Sequence, residues 1–170
     1  MARLTGAMGI GRASLYATYG DKHALFLKAL STYARQTVSH LVARLDGAAD
    51  PIEAIGGVLH EVAARASEPA GRAGCLITNT AAEIGGSDPE VAAVIDGALA
   101  EIEAGYRRAL CRAQQRGLLA VDRDASSLAH LLVTTMHGLR VMGRGGRSAE
   151  TLHAIADEAT RSLVTDRRIA

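Results

Sequence analysis

Along the whole chain apolar residues return every three or four positions, and stretches that alternate apolar with polar are almost absent. A chain patterned this way has to build its core from helices packed on helices. Asp21 is placed to cap a helix running to about Asp46, with Leu25, Phe26, Leu30, Tyr33, Val38, Leu41, Val42 and Leu45 on its inner side and Gly47 as its stop. Asp50, Pro51 and Glu53 set a cap, a first-turn proline and a capping-box acid in order, and open a helix expected to end near Ser67. Cys75 to Ile84 reads as a short, nearly uncharged helix expected at the centre of the fold. Ser87, Asp88, Pro89 and Glu90 spell another start, for a helix reaching about Arg116. Asp124 begins a helix that breaks at glycines 143 to 146, and a last one starts near Ser148.

A length of 170 residues, 48% hydrophobic and 22% charged with 3 prolines, excludes a disordered or collagen-like chain and leaves no room for two domains of full size. No window holds 18 apolar residues without a charge, and MARLTGAMGIGR has no continuous apolar run, so a soluble cytoplasmic protein without membrane contact is expected. The net charge of +1 conceals a split. Residues 1–46 carry six Lys or Arg against two acids, while the remainder carries 13 against 16. A basic head on a mildly acidic body suits a module that touches a polyanion.

The informative segment is GIGRASLYATYGDKHALF, residues 9–26. Gly11 can cap a very short helix from Arg12 to about Tyr19, too short to stand without neighbours. Its apolar side is thin, whereas Arg12, Ser14, Tyr16 and Thr18 carry polar tips, as a helix entering a major groove requires. Lys22 falls in the first turn of the next helix, where a cation opposes the macrodipole. Lys22 and the backbone N–H groups there would together form a phosphate clamp; otherwise Asp21 and Lys22 are solvated loop residues.

GIGRASLYATYGDKHALFLKAL resembles the second half of the helix-turn-helix of the TetR family of transcriptional regulators, running into the long connecting helix of that family. The matching positions are Gly9, Ser14, Leu15-Tyr16, Tyr19, Gly20-Asp21, Lys22 and Leu25-Phe26. The first helix of that head and most of the second lie outside this match, since about ten residues precede it. The resemblance implies an all-α, TetR-like fold: a partial helix-turn-helix head with its connecting helix over residues 1–46, and a ligand-binding and dimerisation body over 47–170. It implies that Arg12, Ser14 and Thr18 face bases or nearby backbone, that Tyr16 and Lys22 hold phosphates, and that Leu15 and Phe26 are core. A homodimer reading palindromic operator DNA, a repressor released by a small apolar or amphipathic effector, follows from the same resemblance. The alternative is a helical homodimeric ligand-binding protein descended from such a regulator that no longer binds DNA.

The last two long helices are the expected dimer interface, through Leu128, Leu131, Leu132, Thr135, Leu139, Leu152, Ile155, Ala159 and Leu163, with Gly138 permitting close approach. The same stripes fit an intramolecular core equally well. For the effector pocket the candidates are Thr78, Asn79, Glu83, Tyr106, Thr134 and His137, polar groups among apolar ones that need partners, a ligand among them. Cys75 and Cys111 stand in apolar helical surroundings, where a thiol is ordinarily inert unless its pKa is lowered. His130 and His137, or His153 with Asp157, share helical sides, but no metal-binding spacing is present and no cofactor is expected. A nucleophile elbow, a P-loop and a dinucleotide fingerprint are all missing, so the chain is not read as an enzyme.

Overall fold

The computed structural model describes residues 5–7, 9 and 11–164, and for Arg12 the backbone alone. The described residues are helical with no strand: α-helical residues 5–7, then α1 (Arg12–Tyr19), α2 (Lys22–Gly47), α3 (Pro51–Ser67), a 3-10 turn (Pro69–Ala73), α4 (Leu76–Ile84), α5 (Pro89–Gln115), α6 (Ala125–Arg144) and α7 (Ala149–Arg161). Five of these helices start where a side chain caps them. The Asp21 carboxylate accepts from the Ala24 N–H at 2.8 Å, and Asp50 accepts from Ile52 and Glu53 at 2.8 and 3.0 Å. Asp88, Asp124 and Ser148 cap α5, α6 and α7 in the same way. Each cap is worth about 1 kcal/mol, which favours these starts over neighbouring ones.

The central helix is α3, not α4. Ile52, Ala54, Ile55, Gly56, Val58, Leu59, Ala63 and Ala66 are buried on nearly every side of α3, which packs against α2, α5, α6 and α7. The expectation for Cys75 to Ile84 is corrected: only Ile77 and Thr80 of α4 are buried, and Ala81 to Ile84 face outward. Nine residues make a helix too short for both ends to reach the core, so α4 docks by its first half.

Small residues set how close the helices come. A Cβ added to Gly143 on α6 would lie 2.6 Å from both the Cβ and the carbonyl oxygen of Ala66 on α3. On α5, one at Gly105 would lie 3.2 Å from Val42. Of the expected dimer residues, Leu128, Leu132, Leu139, Leu152 and Leu163 are buried within the single chain, where they hold α6 and α7 to the core. Leu131 is 49% exposed, and Thr135, Ile155 and Ala159 keep part of their surface.

Gly143→Ala is therefore expected to cost about 1–3 kcal/mol through forced separation of α3 and α6. Gly97→Ala, on an exposed part of α5 with nothing near the new methyl, should be neutral or stabilise by up to about 1 kcal/mol. Urea denaturation with unchanged slope measures both; equal midpoints for the two variants would contradict the close approach.

Candidate functional site

Two regions carry candidate functional side chains, one at the start of α2 and one along its second half. At the first, α1 is pinned by Leu15, which is 0% exposed, with Tyr16 and Tyr19 half-buried beside it. That anchoring turns Ala13, Ser14, Ala17 and Thr18 outward, a face of small side chains. The Thr18 hydroxyl donates to the Ser14 carbonyl at 3.0 Å, leaving its lone pairs toward solvent. Gly20, at φ +82°, donates its N–H to the Tyr16 carbonyl at 2.8 Å and turns the chain into α2, a conformation that favours glycine. Lys22 is the first residue of α2, exposed, with no acidic partner among the described residues. The structure thus brings Ser14, Thr18, Tyr16 and Lys22 to one end of the molecule; the Arg12 side chain lies outside the described residues. Sequence reading gave no role to His23, whose ring nitrogens lie 3.4 Å from Asp88 and 3.1 Å from Glu90 at the start of α5.

The second region is a cavity of about 400 Å³ between α2, α3 and α6. Its lining includes Glu61, which pairs with Arg65 at 2.6 Å, His40 at 3.3 Å and Arg44. Leu41, Val58, Val62 and Ala66 supply apolar wall. Tyr33, Cys75 and Arg140 also line it, Cys75 buried, Arg140 half-buried and Tyr33 36% exposed. Arg140 Nη1 is 3.4 Å from Cys75 Sγ, and the Tyr33 hydroxyl donates toward the same sulfur at 3.7 Å. Burial pushes the Cys75 thiol up, but the Arg140 guanidinium, with Thr78 and the Tyr33 hydroxyl, outweighs it and leaves the thiol below its ordinary value. Burial, with the sulfur beside it, moves the Tyr33 phenol up.

None of the six expected pocket residues lines this cavity. Thr78 and His137 bond each other, Oγ1 to Nδ1 at 2.7 Å. Asn79 donates to the Ala73 carbonyl at 2.8 Å and accepts from Arg144 at 2.6 Å. Tyr106 is fully buried with its hydroxyl 3.9 Å from Met136 Sδ, whereas Glu83 is exposed and Thr134 back-bonds to its own helix. A signal for this lining was present: Tyr33, Thr37, Leu41 and Arg44 recur at helical spacing along α2. Arg140, contributed by α6, had no local signal. That Arg140 stands beside Cys75 was likewise not legible from the apolar helical surroundings of the cysteine. His153 and Asp157 do sit together, but with His60: the His60 and His153 Nδ1 atoms are 2.9 Å apart, and His60 Nε2 is 2.9 Å from Asp157. Among the described residues no group of three or more His, Cys, Asp or Glu could hold a metal, and no helix is long and apolar enough to cross a membrane.

A short, small-faced helix turned into a long helix that borders an open cavity defines a class: helix-turn-helix regulators with a helical body. Residues 51–158 match the family model for the tetracyclin repressor-like, C-terminal domain. The chain is 34% identical over 130 residues to the HTH-type transcriptional regulator YezE of Bacillus subtilis (strain 168), covering 76% of this chain and 67% of that protein. It is 26% identical over 162 residues to the HTH-type transcriptional repressor ComR of Escherichia coli (strain K12), 95% of this chain and 77% of the other. Among solved structures, a cysteine mutant of the TetR family transcriptional regulator CifR, complexed with 26-base-pair double-strand operator DNA, superposes with a TM-score of 0.77 at 33% identity, covering 95% of this chain and 84% of that one. The reduced form of NemR from E. coli shares the fold, with a TM-score of 0.83 at 16% identity over 99% of this chain and 88% of the other. The chain belongs to the TetR family of transcriptional regulators.

His137 makes one stability prediction. Burial, aided by the nearby Arg140, lowers its pKa from 6.5 to about 4, so the folded chain holds it neutral while the unfolded chain protonates first. Its contribution to stability is complete above about pH 6.5, is lost as pH falls toward 4, and then levels off; the whole step is up to about 3 kcal/mol. His137→Gln should flatten that part of the curve. Denaturation between pH 7.5 and 4.5 measures it, and parallel wild-type and variant curves would rule the buried neutral state out.

Proposed function

We propose that this chain is a homodimeric repressor that binds palindromic operator DNA in the cytoplasm through its head, residues 1–46, and is released by a small molecule held in its body, residues 47–170. The observation that carries this reading is the pairing of an outward face of small residues on α1 with an unpaired Lys22 at the start of α2. In this reading α1 enters a major groove, with Ser14 and Thr18 toward base edges, Tyr16 toward a phosphate and Arg12 on the same helix. Lys22 and the free N–H groups of the first turn of α2 take a second phosphate, which offsets the unfavourable placing of a cation there. That the similar CifR was solved on operator DNA supports this assignment.

The same helix supplies the route by which an effector acts. Tyr33 lies eleven residues beyond Lys22 on α2, about 16 Å along a rigid rod. A molecule that fills the cavity bears on Tyr33, Thr37 and Leu41 and so tilts the rod whose end holds the phosphate. Two heads must meet two half-sites about 34–36 Å apart, so a small tilt in each half breaks register. For the dimer face, α6 offers Leu131, Thr134, Gly138 and Val141, spaced along one side, with Leu131 and Val141 49% and 57% exposed and a Cβ at Gly138 meeting nothing.

Fluorescence anisotropy with DNA flanking the gene tests the head. Lys22→Ala should weaken every duplex alike and lower the slope of log affinity against log salt by about 1, while Ser14→Ala or Thr18→Val reorders the preferred sites. A Lys22→Ala protein that changes site preference at constant salt slope would contradict these roles. For the dimer, light scattering should show a wild-type dimer at micromolar concentration and folded monomers for Leu131→Asp and Val141→Asp. A wild-type monomer there would sink the proposed assembly.

A further inference from the structure

The cavity beside α2 is lined by a cation that has no counter-ion among the described residues. Arg140 is half-buried there, and no carboxylate of those residues pairs with its guanidinium. The other two guanidinium groups of the lining, Arg44 and Arg65, share Glu61, its one carboxylate. Three positive groups thus stand against one negative group. The charge of Arg140 pulls Tyr33, Cys75, Tyr106 and His137 each toward its deprotonated form, and none of these four neighbours is a carboxylate that could neutralise it. Withdrawing a charge from water is costly unless it is paired.

What Arg140 meets instead is a sulfur. Its Nη1 lies 3.4 Å from Cys75 Sγ, and the Tyr33 hydroxyl donates toward the same atom at 3.7 Å. Sulfur is a weak acceptor, so two strong donors converge on a point without a partner that matches them. A carboxylate matches both: its flat pair of oxygens takes two parallel N–H bonds from a guanidinium and keeps lone pairs for a hydroxyl. The same cavity is walled by Leu41, Val58, Val62 and Ala66, which suit an apolar body more than a bare inorganic anion. Its volume of about 400 Å³ is near the small end of ligand pockets.

We propose that the cavity takes a small aromatic or short aliphatic monocarboxylate, its carboxylate on Arg140 and the Tyr33 hydroxyl and its body against Leu41, Val58, Val62 and Ala66. That this anion is also the effector releasing DNA rests on the regulator reading; its binding does not. Arg140 belongs to α6 and Tyr33 to α2, so a carboxylate bridging them couples the long rod of the head to the body.

Benzoate and hexanoate are the probes, titrated calorimetrically into the folded full chain at pH 7.5 and constant ionic strength. Benzamide, which keeps the ring without the charge, and acetate, which keeps the charge without a body, are the comparators. The better probe should bind with a dissociation constant below about 1 mM, at least about tenfold more tightly than either comparator. Arg140→Gln should weaken it at least about tenfold, and Arg140→Lys should recover only part of the loss, because an ammonium lacks the planar fork. Val62→Phe keeps Arg140 but fills the cavity, and should weaken the probe as well. The two sites act through different groups, so if one variant fails to melt like the wild type the other decides. Constants above about 1 mM for both probes, benzamide binding as tightly, or affinity indifferent to either substitution in a folded variant overturns the carboxylate site. Saturation with the better probe should weaken binding to the flanking DNA at least about tenfold, with a smaller loss for Arg140→Gln at the same concentration. Unchanged DNA affinity at saturation overturns the effector half. If the unliganded protein has no preference for any DNA, the regulator reading fails and the effector half with it, while calorimetry still decides the site.

Discussion

The adhesion of α2 to α5 is the interaction on which the other features depend. Leu30, Ala34, Val38, Leu41 and Leu45 form a single buried stripe along α2, and each fully buried leucine contributes about 1.5–3 kcal/mol. Polar latches hold the ends. Asp46 receives Arg108 at 2.8 Å and Arg112 at 3.2 Å, and those guanidinium groups, the Arg108 bond above all, hold its carboxyl below the usual range. At the other end His23 lies between Asp88 and Glu90. Exposed pairs of this kind add at most about 1 kcal/mol each, so the apolar stripe supplies the strength and the latches fix the register. Because α2 is one unbroken rod, the residues at its start and those beside the cavity cannot move independently.

The cavity borders the side of α2 next to that stripe, which is largely polar and shares Leu41 with it. Tyr33, Gln36, Thr37, His40 and Arg44 turn away from α5 toward α3, where Val58 and Val62 face them across a gap. The 3-10 turn and the glycine after it supply part of its lining, Gly71 and Gly74. A Cβ on Gly71 would lie 2.0 Å from the Arg65 carbonyl, so only glycine lets this turn fold against the end of α3. Gly74, at φ +75°, has Asn79 2.8 Å from where a Cβ would stand. These two glycines deliver Cys75 to the cavity, and Arg140 meets it from a helix 65 residues further along the chain.

Reading the residues in order recovers local features well. The caps at Asp21, Asp50, Asp88, Asp124 and Ser148 are all occupied in the structure, since a cap depends on three or four consecutive residues. The turn at Gly20 and the buried Leu15 were legible for the same reason. Less legible was depth. Cys75 to Ile84 looks buried by composition, yet the core belongs to α3, because depth depends on what packs around a helix. Leu128, Leu132, Leu139, Leu152 and Leu163 show the same difficulty: an apolar stripe is identical in sequence whether it meets the same chain or a second copy, and here its own chain covers it.

The sequence by itself determined the helices, their ends, the sign of the charge at the head and the small polar face of α1, all of which follow from spacing within a few residues. Only the tertiary structure decided where the cavity lies and what chemistry faces it. Thr78 and His137, chosen from sequence as ligand groups, bond each other, and His137 Nε2 is left buried without a partner. Tyr33, Cys75 and Arg140 come from three helical segments, and no local pattern records that a guanidinium will stand 3.4 Å from a thiol. The physical reason is range: hydrogen-bonded turns and caps are short-range and written in order, whereas burial and Coulomb interaction depend on neighbours that only packing supplies.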